Sequence, residues 1–432
     1  MNIGMIALGC AKNRIDAEMM LHKLTEEGFT VCNDLSQCDG VIVHTCTFID
    51  AAKSESIEAI LEAAAYKING RLKRLVVTGC LAERYKSEVL KLLPEVDACL
   101  GSRSFDKIIE ALRAEQPYEE YKPLTCPPPE FDRILTTGNK SVYLRIAEGC
   151  SNHCSYCVIP SVRGEFMPRS YESVMEEARR LAENGAVEIN LIAQDTTKHP
   201  DLCRFIRDIA RIDSVRWIRI LYCRPEEITD ELLNTMAEVD KCVPYIDVPL
   251  QHASGKVLKR MNRTGDDRSL TDLIAHIREI LPECSVRTTF ITGFPGENEE
   301  DFEILCNFVK GNKFANLGVF PYSREEGTPA GRMRNQIPDE IKQRRADLIM
   351  QIQHSLLPKT NKPLIGKTLD VLCEGKRKDG KYYGRAYFQA PEVDGRIIFT
   401  ADFPVEEGQF VSVLLKRYRE YDFYGTATNS QE

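Results

Sequence analysis

Apolar runs that end at a small or polar residue, meet a cysteine and pass into a helical pattern set the limits on this fold. Three occur in the first 117 residues: Ile3 to Gly9 before Cys10, Val41 to Thr45 before Cys46, and Leu75 to Gly79 before Cys80. The cysteines fall 36 and 34 residues apart. Helical patterns follow at about Arg14 to Glu27, Ala51 to Tyr66 and Glu83 to Leu92. Strand, turn and helix at this period predict a βαβ array with a parallel sheet. The carboxyl ends of such strands open on one edge, where ligands bind. Cys10, Cys46 and Cys80 fall on that edge, so they are expected to converge. They could be three buried small side chains. Their repeated position favours a cluster held by three thiolates. Cys32, Cys38 and Cys99 lack the strand-end position and read as packing residues.

Residues 118 to 132 read as a semi-rigid, proline-rich linker without helical periodicity. The alternation then resumes with six strand candidates: Val142–Ala147, Val187–Ala193, Trp217–Leu221, Tyr245–Val248, Val286–Thr292 and Asn316–Phe320. Helical stretches such as Tyr171–Asn184 and Glu226–Glu238 lie between them. Six βα units are too few for a closed eight-stranded barrel, so an open partial barrel is expected, with its active centre at the carboxyl ends of the strands. Ile337 to Leu357 should be a long helix closing this domain, with Lys342, Arg344 and Arg345 on a solvated face. After Pro358 and Pro363, five short strands describe a small barrel of the oligonucleotide-binding type: Thr368–Cys373, Lys381–Phe388, Arg396–Phe399, Phe410–Lys416 and Asp422–Ala427. The expected domains are therefore 1–117, 133–362 and 363–432, joined by the 118–132 linker.

The loop after the first central strand carries Cys150, Cys154 and Cys157 in a C-x₃-C-x₂-C spacing, with Tyr156 just before the last cysteine. Three thiolates in so short a loop can hold a 4Fe–4S cluster and leave one iron open to an outside molecule. A structural zinc site would need a fourth ligand, usually from a paired knuckle, and no partner C-x₂-C exists in the chain. Gln194 and Asp195 follow the second strand. They could hold a cofactor's amino group or ribose, or cap a helix. Gly293 and Gly296 after the fifth strand permit close approach of the backbone to a ligand. His252 reads as a satisfied polar residue. Sixteen cysteines scattered through apolar segments point to a reducing compartment and metal ligation, and no apolar run approaches the ~20 residues of a membrane span, so a cytoplasmic protein is expected.

The net charge of −8 argues against broad binding to a phosphate backbone and suits a basic protein as partner. The last 70 residues hold ten Lys and Arg against eleven Asp and Glu, Glu420 and Asp422 among them. The small barrel thus suggests RNA by fold but not by charge.

The C-x₃-C-x₂-C loop with its aromatic residue is similar to the signature of radical S-adenosylmethionine enzymes. The order of Cys10, Cys46 and Cys80, then this loop, then a small barrel resembles the methylthiotransferase family along the whole chain. That family has an amino-terminal methylthiotransferase domain, a radical S-adenosylmethionine core and a TRAM domain. The resemblance implies two 4Fe–4S clusters, one on Cys10, Cys46 and Cys80 and one on Cys150, Cys154 and Cys157, with Tyr156, Gln194, Asp195, Gly293 and Gly296 near the cofactor. A Gly-x-Ile-x-Gly-x-x-Glu pattern is common near the fifth strand of this superfamily; here Gly296 stands where the acid would be and Glu297 comes one place late.

One branch of the family modifies tRNA adenosine; the other modifies the β-carbon of an aspartate in small-subunit ribosomal protein S-twelve. Five stretches look like the protein-modifying branch: Leu8-Gly9-Cys10-Ala11-Lys12-Asn13, Thr45 to Asp50, Ala52 to Ile57, Gly318 to Thr328 and Tyr421 to Gly425. The tRNA branch tends to carry Gln-Met-Asn after its first cysteine, and His44 replaces the asparagine usual before Thr-Cys. The implied reaction uses two molecules of S-adenosylmethionine, one as methyl donor to a sulfur and one as radical source, with an electron donor such as a flavodoxin or ferredoxin. A tRNA-modifying sister enzyme is the alternative, and a non-catalytic RNA-binding protein with structural metal is a third reading.

Overall fold

A computed structural model describes residues 1–428; residues 429–432, with the Glu432 of the charge count, lie outside the described residues. The amino-terminal domain is a six-stranded, all-parallel sheet in the order Thr30–Val31, Asn2–Ala7, Gly40–Thr45, Arg74–Gly79, Ala98–Leu100, Tyr118–Glu120. The three expected strands occupy its centre and end at Ala7, Thr45 and Gly79. The last strand corrects the linker boundary. Tyr118–Glu120 pairs in parallel with Ala98–Leu100 as an edge strand, too short for an apolar alternation to announce it, with Tyr118 packed on the core. The helix expected from Glu83 to Leu92 is two helices, Cys80–Tyr85 and Glu88–Leu92, split where Lys86 turns to φ +47°.

The central domain is a second all-parallel sheet of six strands in chain order: Ser141–Arg145, Glu188–Ile192, Trp217–Ile220, Cys242–Asp247, Ser285–Thr292 and Asn316–Pro321. Its two end strands do not pair with each other, as expected of an open barrel. The helix expected from Glu226 begins instead at Asp230, because the Thr229 side chain caps it from Leu232 N–H and Pro225–Glu227 forms a separate 3₁₀ turn. The closing helix runs Asp339–Asn361 and carries Pro358 inside its last turns, so that proline does not end it. Lys342 and Arg345 are buried rather than solvated, and only Arg344 of the three faces water. Arg345 pairs with Glu297 at 2.8 Å and with Glu299 at 2.5 Å.

The carboxyl-terminal strands close into the expected barrel, in the order Thr368–Lys376, Tyr382–Arg385, Ile397–Thr400, Asp422–Ala427, Phe410–Arg419. It docks beneath the amino ends of the central strands. Arg385 is buried and pairs at 2.5 Å with Glu188, the first residue of its strand. Ser285, another strand-opening residue, donates to Phe388 O. Against the upward push of burial, Arg385 and Arg219 hold the Glu188 carboxyl at about 2. One continuous apolar cluster takes residues from all three domains, including Ile15, Met19, Ile42, Tyr143, Ile192, Tyr245, Leu372 and Ala390. No helix among the described residues is long and apolar enough to cross a membrane.

Candidate active site at the domain interface

The three strand-end cysteines come together, and Asn13 shows how. Its side chain donates to Leu8 O at 2.9 Å and to Thr45 O at 3.0 Å, so it ties the ends of the first two cysteine-bearing strands to one point. Its Oδ1 lies 3.7 Å from the Cys80 sulfur. Gly9, at φ +91°, is packed so closely that a Cβ there would stand 2.8 Å from Cys46 Cβ and 3.0 Å from its sulfur. Only glycine fits both that conformation and that space. Ser56 holds the Cys46 loop from the following helix, accepting from Cys46 N–H and donating to Cys46 O. Cys10 is exposed, while Cys46 and Cys80 are buried.

The central set is built more compactly, and each of its sulfurs has an N–H group near it. Asn152 Nδ2 donates to Cys150 at 3.3 Å, Ile159 N–H to Cys157 at 3.4 Å, and Arg224 Nη1 lies 3.9 Å from Cys154. Cys157 N–H donates to Cys154 O, which closes the loop. Gly149, at φ +77°, could not carry a Cβ, which would fall 2.1 Å from Glu165 O.

Both sets meet the same short helix, Ile159–Arg163, about 7.5 Å long by helical rise. It starts two residues after Cys157. At its far end Arg163 Nε donates to the Cys80 sulfur at 3.3 Å. Cys80 packs on Val158 and Val162. Ser102 and Arg103 of the amino-terminal domain clamp the helix by donating to Val162 O and Arg163 O. Arg163 also pairs with Asp16 at 2.7 Å and Glu148 at 3.4 Å, and Arg145 pairs with the same two acids at 2.5 and 2.8 Å. All four are buried. Burial raises the Asp16 and Glu148 carboxyls, but the two guanidiniums win and hold both below the usual carboxylate range. His44, 3.7 Å from Asp16, is kept neutral by burial, which lowers its pKa.

These residues fit iron–sulfur ligation. N–H donors aimed at thiolate sulfur are a common means of stabilising and tuning such clusters. Burial pushes the Cys80 and Cys157 thiols up to about 12, so metal must displace their protons to bind. Among the described residues no three Cys, His, Asp or Glu side chains close around a single ion-sized point. Thiolates of a four-iron cluster sit on separate irons and stand further apart than the ligands of one ion.

The other expected cofactor residues divide. Tyr156 lies edge-on to Phe294 with ring centroids 6.5 Å apart. Gln194 donates to Glu148, and Asp195, almost wholly buried, accepts from Asn152 and Thr197, so neither caps a helix. Both stand beside the Cys150 loop. Gly293 and Gly296 are pressed against this chain's own side chains: a Cβ would meet Lys342 Cγ at 2.2 Å and Arg260 Nη1 at 2.4 Å. Glu297 accepts from Phe294 N–H and pairs with Arg345, which commits its carboxylate to the loop itself. His252 accepts from Ser254 N–H through Nδ1 and is buried. Sequence reasoning missed Asn13, Asp16, Glu148 and Arg163. The available signal was Arg145, a charge set inside an apolar strand.

Fold and site together define a radical S-adenosylmethionine enzyme with a second cysteine-bearing domain. The profile of the Radical SAM superfamily matches residues 144–309, that of Uncharacterized protein family UPF0004 residues 2–101, and that of the TRAM domain residues 365–428. The chain belongs to the RimO family of methylthiotransferases. A relative named ribosomal protein uS12 methylthiotransferase RimO, from Lachnoclostridium phytofermentans, is 43% identical over 99% of this chain and 100% of its own length. Its counterpart from a Thermoanaerobacter species is 45% identical over 98% and 99%. S-adenosylmethionine and 4Fe–4S clusters are the family's cofactors. Among solved structures, the radical S-adenosylmethionine methyltransferase TsrM from Kitasatospora setae matches with a TM-score of 0.56 at 13% identity, covering 76% of this chain and 77% of that one. The cobalamin-dependent radical enzyme OxsB matches at 0.51 and 11%, covering 81% and 56%. Both likenesses concern the fold.

Proposed function

We infer that this chain transfers a methylthio group to the β-carbon of an aspartate in ribosomal protein uS12. The carrying observation is Arg163, which leaves the central cysteine loop and bonds the sulfur of Cys80, so that both cysteine sets share one interface. We assign Cys150, Cys154 and Cys157 to one 4Fe–4S cluster and Cys10, Cys46 and Cys80 to the other. When loaded, the central cluster with S-adenosylmethionine supplies a hydrogen-abstracting radical, and the amino-terminal one holds the sulfur to be delivered. The chain's own contribution is position. Asn13 gathers the amino-terminal cysteines, and the Asp16, Arg145, Glu148, Arg163 group locks that domain against the central loop. Two reacting centres fixed at one interface convert a meeting of separate molecules into a step within one complex.

We assign Gln194, Asp195 and Tyr156, beside the central loop, to the orientation of S-adenosylmethionine; Gln194 and Asp195 are held there by Glu148 and Asn152. Gly293 and Gly296 shape their loop around Lys342 and Arg260, and only their main chain is left to meet a ligand. A cytoplasmic flavodoxin or ferredoxin is the expected electron donor. The net charge of −8 favours the basic ribosomal protein over tRNA. The deciding experiment incubates anaerobically reconstituted enzyme with uS12 and, separately, with tRNA. Mass spectrometry should find one added methylthio group on an aspartate of uS12; finding it on tRNA adenosine, with uS12 unmodified, would overturn the reading.

A further inference from the structure

The helix Asp50–Ala64 starts four residues after Cys46, and its inner face grips that cysteine through Ser56. Its outer face is open. Ala51, Glu55, Glu58, Leu61 and Glu62 recur there at steps of three and four residues, and all are exposed. Ile68, in the short helix Tyr66–Asn69, extends the line. From Ala51 to Ile68 it is about 25 Å long by helical rise.

The charge of this face is one-sided. Glu55, Glu58 and Glu62 make no ion pair or hydrogen bond among the described residues, while the two lysines of the stretch, Lys53 and Lys67, are taken by Asp50 and Asp97. Glutamates three and four residues apart repel each other, and Glu62 stands in the last turn, where the helix dipole disfavours an anion. The helix carries a strain that a basic partner would relieve. The same surface gathers exposed apolar groups. Of the ten large hydrophobic side chains exposed among the described residues, Phe48, Leu61 and Ile68 fall on this stretch. A fourth, Phe320, lies in a cleft at its amino end. That cleft, of about 530 Å³, separates Ile49 and Ala51 from Phe320, Tyr322 and Pro338 of the central domain. It opens between the Cys46 loop and the carboxyl end of the strand Asn316–Pro321.

We propose that this face is where the substrate protein docks: a segment rich in Lys and Arg lies along Glu55, Glu58 and Glu62, and the segment bearing the target residue enters the cleft beside the Cys46 loop. This rests on the function inferred above. Charge and place select the occupant. The three carboxylates repel a nucleic acid or an acidic protein, and a second copy of this chain would set the same three against its own. Leu61 and Ile68 supply apolar area to bury, and the acids supply encounter rate and register. Because Ser56 ties the same helix to Cys46, a protein seated on the outer face is held in fixed relation to the amino-terminal cysteines.

The test uses the full-length, reconstituted enzyme with intact uS12 and with a peptide around the target aspartate too short to reach from the cleft to Glu58. Glu55→Lys, Glu58→Lys and Glu62→Lys together should raise KM for intact uS12 by about tenfold or more at low salt and by much less at high salt. Iron per chain, kcat and the KM for the short peptide should stay as in wild type. The triple change of the same residues to Gln, which relieves the repulsion and so spares the fold, should give a smaller rise in the same direction. Leu61→Ser with Ile68→Ser should raise the KM for intact uS12 without altering its salt dependence. An unchanged KM for intact uS12 in both glutamate triples would overturn the proposal. So would an equal rise for the short peptide, or a wild-type dimer that the Leu61 and Ile68 changes split with no change in KM. Wild-type enzyme that modifies tRNA and not uS12 would overturn the underlying function, and the docking face with it.

Discussion

The two cysteine sets solve one problem in opposite ways. Cys150, Cys154 and Cys157 lie within eight residues, and a single loop with local N–H donors brings them together. Cys10, Cys46 and Cys80 are spread over 71 residues and meet only because three parallel strands end on the same edge and Asn13 cross-links them. The first site needs a loop to fold; the second needs a domain. It needs its neighbour too, since the donor to the Cys80 sulfur, Arg163, comes from the central domain. The topologically assembled site should therefore be the more fragile.

The largest effects separate the two sets outright. Replacing Cys10, Cys46 and Cys80 with alanine is expected to halve the iron and abolish methylthio transfer while leaving 5′-deoxyadenosine formation. The same change at Cys150, Cys154 and Cys157 should also halve the iron but abolish both activities. Iron and sulfide assays with mass spectrometry of products read the outcome, and loss of both activities in the first variant would break the division of labour. Next in size is Arg163→Ala, which leaves Asp16 and Glu148 with half of their buried countercharge and should cost ~3–5 kcal/mol in denaturant unfolding. It should take iron from the amino-terminal set before the central one.

The pH dependence has a definite sign. Because Asp16 and Glu148 titrate lower in the folded chain than as free carboxylates, their contribution is complete above the ordinary carboxylate range and is lost as pH falls through the depressed values. Acid unfolding of Asp16→Asn should lack part of that dependence.

Smaller still, Gly9→Ala and Gly149→Ala each force a Cβ into a left-handed turn and a filled space, costing about 1–2 kcal/mol locally. The first should deplete only the amino-terminal iron, the second only the central iron. The smallest effect is expected at the barrel. Glu420 is exposed, whereas Asp422 accepts from Arg396 N–H and is better left alone. Glu420→Lys should raise KM for uS12 only a few-fold, and only at low salt.

Much of this was legible in the sequence where a pattern repeats. Strand ends at Cys10, Cys46 and Cys80, six central strands and five barrel strands all follow from apolar runs and their punctuation. The interface was not legible, because its chemistry depends on charges that look solvated when read along one helix. Asp16 and Lys12 sit on a helix that is buried over most of its length, and Lys342 and Arg345 on another that packs inward, so the usual reading of charge as surface fails there. Tyr118–Glu120 was missed for a different reason: an edge strand of three residues is too short to leave an alternating side-chain pattern.

The barrel's place beneath the amino ends of the central strands has a geometric consequence. Central strands of four to eight residues put roughly 13–26 Å between that docking surface and the cysteine loops above. A substrate that touches both must span the height of the domain. A substrate held at both would sit as in a caliper, with the chemistry at one jaw and the barrel at the other. A short peptide can fill only the first jaw, while an intact ribosomal protein, or the particle that carries it, is long enough to reach both.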